Sequence, residues 1–129
     1  MKRLSICWII GCLLGLVACR PEVPAQAEQG ETDVFPDYRE VTVPVNMAPP
    51  NFKLVNQQLQ GITRLKTMNR ELIIAADHGV FNLSETDWKV LSQDAQGKQI
   101  DVTVYFREPQ SDWKQMSFPI YVSRDSVDA

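Results

Sequence analysis

The chain has 129 residues, of which 16 are acidic and 13 basic, and its formal net charge is −3 at pH 7. A mildly acidic chain without a basic cluster argues against nucleic acid as a partner and against electrostatic attraction to anionic lipid. The length fits a single domain, and this size can support an apolar core without disulfide or metal staples.

The first 18 residues have the pattern of a secretory signal peptide. Lys2 and Arg3 precede an apolar run from Ile6 to Val17. This run is too short to cross a bilayer comfortably as a helix, which takes roughly 20 apolar residues. We therefore predict that residues 1–18 are removed on export.

The end of this run resembles the lipobox of bacterial lipoproteins. It reads Leu16, Val17, Ala18 and Cys19. In such proteins the cysteine thiol receives a diacylglycerol, and cleavage leaves that cysteine as the first residue. We expect a lipid anchor on Cys19, strong enough to hold the protein in the cell envelope, on the outer membrane facing the periplasm or the cell surface. An ordinary secreted protein with a coincidental cysteine is the alternative.

The cysteine count then leaves no thiol for other chemistry. Cys7 and Cys12 leave with the signal peptide, and the lipid consumes Cys19. No disulfide, cysteine-ligated metal or cysteine nucleophile is expected in the mature chain, and no cofactor is predicted.

Residues 19–37 read as the lipidated cysteine followed by a flexible linker. This segment holds Pro21, Pro24 and Pro36 with few large apolar side chains, a composition typical of linkers. We predict a tether here and one folded domain over residues 38–129.

Alternating valines open the predicted domain. Val41, Val43 and Val45 have the period of two that marks a half-buried strand, and Pro44 favours a position at a sheet edge. Further short strands are predicted over residues 52–56 and 62–68.

A tight turn and a short helix follow. Asp77-His78-Gly79 supplies the residue types that a hairpin needs at positive φ, between apolar runs at 72–76 and 80–83. Ser84 with Asp87 forms a capping box, which predicts a helix of two to three turns ending near Ala95.

The strongest strand pattern lies in residues 99–122. Two alternating runs, 100–106 and 116–122, flank a turn around Gln110. One register places apolar residues opposite each other throughout, namely Val104 with Met116, Val102 with Phe118 and Ile100 with Ile120. About seven short strands with one short helix predict an all-β, antiparallel, immunoglobulin-like sandwich, and a barrel is the structural alternative.

Residues that could carry catalysis are sparse. His78 is the one histidine of the chain, and a residue in the middle of a tight turn rarely has the pocket and partner that a general base needs. No nucleophile-elbow, zinc-protease or phosphate-loop motif occurs. The acidic side chains Asp87, Asp94 and Asp101 fit a helix cap, a helix end and an outward strand position, so we predict neither an enzyme nor a metal site.

Aromatic residues mark a candidate binding face on the last two strands. The predicted register sets Arg107 opposite Trp113 and Gln99 opposite Tyr121, with Tyr105 between them on the outward side. Such a face can simply cover the sheet, contact a protein or a neighbouring domain, or stack on sugar rings.

The carboxyl-terminal triplet Asp125-Ser126-Val127 resembles the Asp-Ser/Thr-aliphatic signal for O-glycosylation in some envelope bacteria. Ser126 is therefore a candidate modification site.

Several phrases together resemble the amino-terminal part of the TolB-like β-propeller lipoproteins of gram-negative envelopes. They lie at residues 35–38, 41–52, 88–91, 97–98, 113 and 119–123. In that family the last phrase leads into a propeller and, in many members, a Cys-x-x-Cys-His haem motif. The present chain stops at Ala129, before either would begin, so we expect a truncated fragment or a stand-alone accessory domain.

The resemblance implies a non-enzymatic interaction module, anchored by its lipid, with a protein partner or an adjacent propeller domain. A glycan-binding lipoprotein that uses Tyr105, Trp113 and Tyr121 is the alternative.

Overall fold

The computed structural model describes residues 21–39, 41–45 and 47–124. The predicted signal peptide, the lipobox with Cys19, and Ser126 lie outside the described residues. The elements, in chain order, are β1 Glu28–Gln29, β2 Val34–Phe35, β3 Thr42–Val43, β4 Phe52–Leu54, β5 Gln60–Lys66, β6 Glu71–Ala75, β7 Val80–Phe81, α1 Glu85–Asp94, β8 Gln99–Arg107 and β9 Lys114–Val122.

Two sheets and one short helix make up the described fold. The larger sheet has the order β1-β9-β8-β5-β6, with β3 also pairing with β9, and the smaller sheet has the order β2-β4-β7. β1 and β3 run parallel to different stretches of β9, and the other pairings are antiparallel. The prediction of an all-β sandwich with a single short helix is confirmed. The described residues contain nine strands, more than the seven or so predicted, because four of the nine are only two residues long.

The predicted register of the last hairpin is confirmed. Val104 lies opposite Met116, Val102 opposite Phe118 and Ile100 opposite Ile120. All six side chains are buried in the core. Alternation over nine residues on each strand defines this register, since a slip of one residue would turn every apolar side chain to solvent.

The smaller sheet packs against β5, and α1 covers the adjoining part of the core. Leu54 of β4 and Phe81 of β7 approach the backbone of Gly61 within β5. Trp88 and Leu91 of α1 are buried in the same cluster. The core therefore joins both sheets and the helix.

The turn at His78 has the predicted conformation but a different role. His78 and Gly79 have φ of 52° and 80°, and Asp77 bridges Val80. The flanking strands β6 and β7, however, belong to different sheets. The turn is thus a corner between the sheets and not the end of a regular hairpin.

The helix has the predicted bounds and caps. The Ser84 hydroxyl accepts a hydrogen bond of 3.1 Å from the backbone N–H of Asp87. Ala95 caps the carboxyl end, and Gly97 follows at a φ of 72°. These residues supply the local signals for starting and ending a helix.

The segment predicted to be a flexible linker carries two strands. Residues 28–29 pair with β9, and residues 34–35 pair with β4. Val34 is buried among the core residues. Residues 28–35 therefore belong to the folded unit, which corrects the boundary placed at residue 38. These strands could not be predicted because a two-residue strand shows no periodicity and residues 28–35 are rich in acidic and polar side chains.

Candidate interaction site

Arg107 and Trp113 meet at the turn between β8 and β9, as the predicted register requires. The guanidinium carbon of Arg107 lies 4.4 Å from the centroid of the Trp113 ring, within the range of a cation–π contact. The Nε of Arg107 donates a hydrogen bond of 2.8 Å to the side-chain oxygen of Gln60 on β5. Stacking and hydrogen bonding together fix the guanidinium plane.

A small cleft of about 240 Å³ opens beside this pair. One wall comes from the turn, with Ser111 and Asp112, and the other from residues 26–28. The backbone N–H of Glu28 donates to the carbonyl of Trp113 at 3.2 Å, which fixes the second wall. This wall could not be predicted, because residues 26–28 have the composition of a linker.

The cleft mixes one guanidinium with carboxylates. Glu28 and Asp112 line it, yet neither forms an ion pair with Arg107. A guanidinium stacked on an indole offers planar hydrogen-bond donors that suit a carboxylate or a carbonyl. The space admits a side chain or one sugar-sized group, not an extended chain.

Tyr105 does not belong to an exposed face, which corrects the expectation for this residue. Its relative exposure is 7%, although it points to the side of the sheet opposite the core. Pro21 lies beside Glu71 and Ile73 at the β6 edge, while Glu28 pairs at the β9 side. The segment between them therefore runs from one edge of the sheet to the other.

Tyr121 lies opposite Gln99, as predicted, and is 42% exposed. It lies eight positions after Trp113 along nearly extended chain, a distance of about 27 Å. The structure thus brings Arg107 and Trp113 together but places neither Tyr105 nor Tyr121 with them as one aromatic platform.

His78 lies in solvent with a single partner. Its Nδ1 is 2.7 Å from a carboxylate oxygen of Asp77, and its side chain is 96% exposed. The described residues contain no group of three or more His, Cys, Asp or Glu side chains placed to hold a metal ion.

The outer side of the smaller sheet exposes apolar side chains. Phe35 is 62% and Val55 55% exposed. Phe35 pairs with Lys53, whose ammonium lies 6.0 Å from the Phe35 ring centroid, and the backbone N–H of Val55 donates to the carbonyl of Asp33 at 3.0 Å. Phe35 lies on β2 and Val55 directly follows β4, and neighbouring exposed apolar residues of this kind are typical of protein contact surfaces.

A further groove, of about 570 Å³, lies between α1 and the loop at residues 47–49. Met47, Pro49 and Trp88 form its apolar side, and Glu85 and Lys89 its charged rim. The indole N–H of Trp88 donates to the carbonyl of Met47 at 2.8 Å. This bond ties the loop to the helix.

Asp94 joins the end of α1 to the turn between β5 and β6. Its carboxylate accepts hydrogen bonds from the Thr67 hydroxyl, and from the backbone and side-chain amides of Asn69 at 3.1 and 3.0 Å. The Thr67 hydroxyl and the Asn69 donors hold the pKa of Asp94 below its usual value. A carboxylate at the carboxyl end of a helix interacts unfavourably with the helix dipole. The donors from Thr67 and Asn69 stabilise the Asp94 carboxylate there, so they have a structural role.

Comparison with known proteins found no match to this chain. No family model, no curated protein and no solved structure matches the chain. Within the described residues, none of the helical structure has the length and apolar character needed to span a membrane.

Proposed function

We propose that the chain is a membrane-anchored bacterial envelope lipoprotein, lipidated at Cys19, whose sandwich is a non-enzymatic interaction module of a TolB-like protein. The observation that carries the proposal is the sequence Leu16 to Cys19 directly after the apolar run. Its partner is a protein or an adjacent propeller domain, and its location is the outer membrane.

The course of the amino-terminal segment sharpens this proposal. Pro21 lines a groove with Glu71, Leu72 and Ile73 of β6, and Glu28–Gln29 pair with β9, which favours a segment that lies along the sheet over a free tether. Only one residue stands between Cys19 and Pro21, so a lipid on Cys19 would hold the sandwich close to the membrane surface. The Phe35 and Val55 patch on the smaller sheet supplies apolar surface for a protein contact.

Replacement of Cys19 tests the anchor. We expect Cys19→Ser to release the full chain from bacterial membranes or to leave its signal peptide uncleaved, because serine has no thiol for the lipid. Cys12→Ser, within the predicted signal peptide, is the matched control and should fractionate with membranes like the wild type. Normal processing and membrane retention of Cys19→Ser would refute the proposal.

Glycan binding is the second candidate, and the stacked pair Arg107 and Trp113 is the observation that favours it. Titration of the detergent-solubilised chain with envelope polysaccharides, followed by tryptophan fluorescence, separates the two functions. A saturable change that Trp113→Ala abolishes and Tyr121→Ala preserves would establish a sugar site at the cleft. No change with any polysaccharide, together with cross-linking to one protein, supports the interaction module.

A further inference from the structure

Strand β6 forms one edge of the larger sheet. It pairs with β5 along all five of its residues, and no described strand pairs with its other side. The backbone N–H of Ala76 donates to the carbonyl of Gly61 at 2.9 Å, and Thr67 donates to the carbonyl of Arg70 at 2.9 Å. Because antiparallel ladders alternate, Leu72 and Ile74 bond toward β5, and Glu71, Ile73 and Ala75 direct their N–H and C=O groups outward.

The residues of β6 themselves include no lysine, proline or bulge that would protect an exposed strand, although Pro21 lies beside this edge. Natural edges are kept short or carry lysine, proline or a bulge, but β6 reads Glu-Leu-Ile-Ile-Ala. Leu72, Ile73 and Ile74 are half-buried, and a groove of about 410 Å³ runs beside Glu71, Leu72 and Ile73, with Pro21 also lining it. Backbone hydrogen-bonding groups and apolar side chains are thus available together at the edge.

We propose that β6 pairs in antiparallel fashion with β6 of a second copy of this chain, with the two-fold axis at Ile73. In this register Ile73 lies opposite Ile73 of the second copy, and Glu71 lies opposite Ala75. All six outward N–H and C=O groups of each strand then bond across the axis. The contact is isologous, as expected for a two-fold dimer.

The side chains agree with a second copy as the occupant. Leu72 of one copy faces Ile74 of the other, so two residues that already pack against the core complete their burial. Glu71, the one charged residue of β6, faces an alanine and keeps its ion pair with Arg64 at 3.4 Å. The register therefore opposes no like charges, which would destabilise directly paired strands.

The small size of the contact sets the strength of the dimer. Five residues from each copy fall short of the roughly 800 Å² that each partner buries in a standard interface. We expect a reversible dimer that dissociates on dilution through the micromolar range. The inference does not depend on the lipid anchor, so Cys19→Ser should leave the dimer intact.

Charge substitution at Ile73 provides the test. The molar mass of the full chain in detergent is measured by light scattering after size-exclusion chromatography, over a range of protein concentrations. The mass of the bound detergent is subtracted. Ile73→Lys and Ile73→Glu should each weaken the dimer at least tenfold, because like charges meet at the axis. Mixing the two variants should restore a dimer. Val90→Lys, on the exposed side of α1, is the matched control.

Disulfide trapping tests the register in membranes. Ile73→Cys should form a disulfide-linked dimer, since directly opposed residues in a bonded pair have Cα atoms about 5.5 Å apart. Ala75→Cys should not, because its copies lie four residues out of register, although it should link to Glu71→Cys when both variants are present. The wild-type chain, treated in the same way, is the control for any disulfide that its own cysteines form.

A wild-type chain that stays monomeric at about 200 µM, well above the micromolar range in which the dimer should dissociate, would overturn the inference. So would a dimer that the charge substitutions do not weaken, or one in which Ala75→Cys links as readily as Ile73→Cys.

Discussion

The ring of Phe81 lies against the backbone of Gly61, where the smaller sheet meets β5. A Cβ added to Gly61 would be 2.7 Å from Cζ of Phe81 and 2.8 Å from Cδ1 of Leu54. Both neighbouring side chains are fully buried and cannot move into solvent. The absence of a side chain at residue 61 therefore permits the contact between the two sheets.

Gly61→Ala should lower the free energy of unfolding by about 1–3 kcal/mol, the usual cost of overpacking a core. Urea unfolding followed by circular dichroism measures it. Gly30→Ala is the matched control, because its added Cβ would come no closer than 3.0 Å to Cδ and 3.2 Å to Cβ of Lys114, which is less crowded than the position of Gly61. Equal losses in the two variants would contradict the role given to Gly61.

Removal of the helix cap should also destabilise the fold. Ser84→Ala loses the hydrogen bond to the backbone N–H of Asp87 and should cost about 1 kcal/mol. Ser84→Asp keeps an acceptor at the same place and should remain within a few tenths of a kcal/mol of the wild type. Equal stability of the alanine and aspartate variants, measured by urea unfolding, would contradict the cap.

Sequence patterns predicted the parts of the fold that repeat over many residues. Alternation along β8 and β9 allowed only one register with apolar side chains on the same side, and the cap at Ser84 is a local signal. The strands β1 and β2 escaped prediction because two residues have no period and their segment is rich in proline and acidic residues. The sequence predicts a strand that begins only at residue 62, whereas Gly61 lies within β5. Its role could not be predicted because it depends on the distant ring of Phe81.

The candidate site, like the fold, could be predicted only in part. Arg107 and Trp113 could be placed together because the hairpin register determines their pairing. The wall formed by residues 26–28 could not be predicted, because it depends on a segment that pairs with β9 far along the chain. The burial of Tyr105 could not be predicted either. Outward direction on a strand gives the side of a sheet, not the exposure of the side chain.

The bond between Trp88 and the loop before β4 gives another prediction. Trp88→Phe keeps an aromatic ring in the core but removes the donor to the carbonyl of Met47, which lies 2.8 Å away. A polar group left without its partner costs about 1–3 kcal/mol. Urea unfolding measures the loss, and Val90→Ala on the exposed side of α1 is the control. A Trp88→Phe variant as stable as this control would contradict the role of the bond.

The hydrogen bonds to Asp94 predict an acid-dependent part of the stability. Because its pKa in the fold lies below the ordinary 3.8, the stabilisation is fully present above that ordinary value and is lost as the pH falls through the lowered pKa. The pKa of Asp37 is also lowered, to about 2, by hydrogen bonding to Arg39, but this pair is present in both chains when wild type and Asp94→Asn are compared. The difference in unfolding free energy between them should therefore be largest at neutral pH and shrink below pH 4. A difference that stays constant from pH 6 to pH 2.5 would contradict the assignment of this dependence to Asp94.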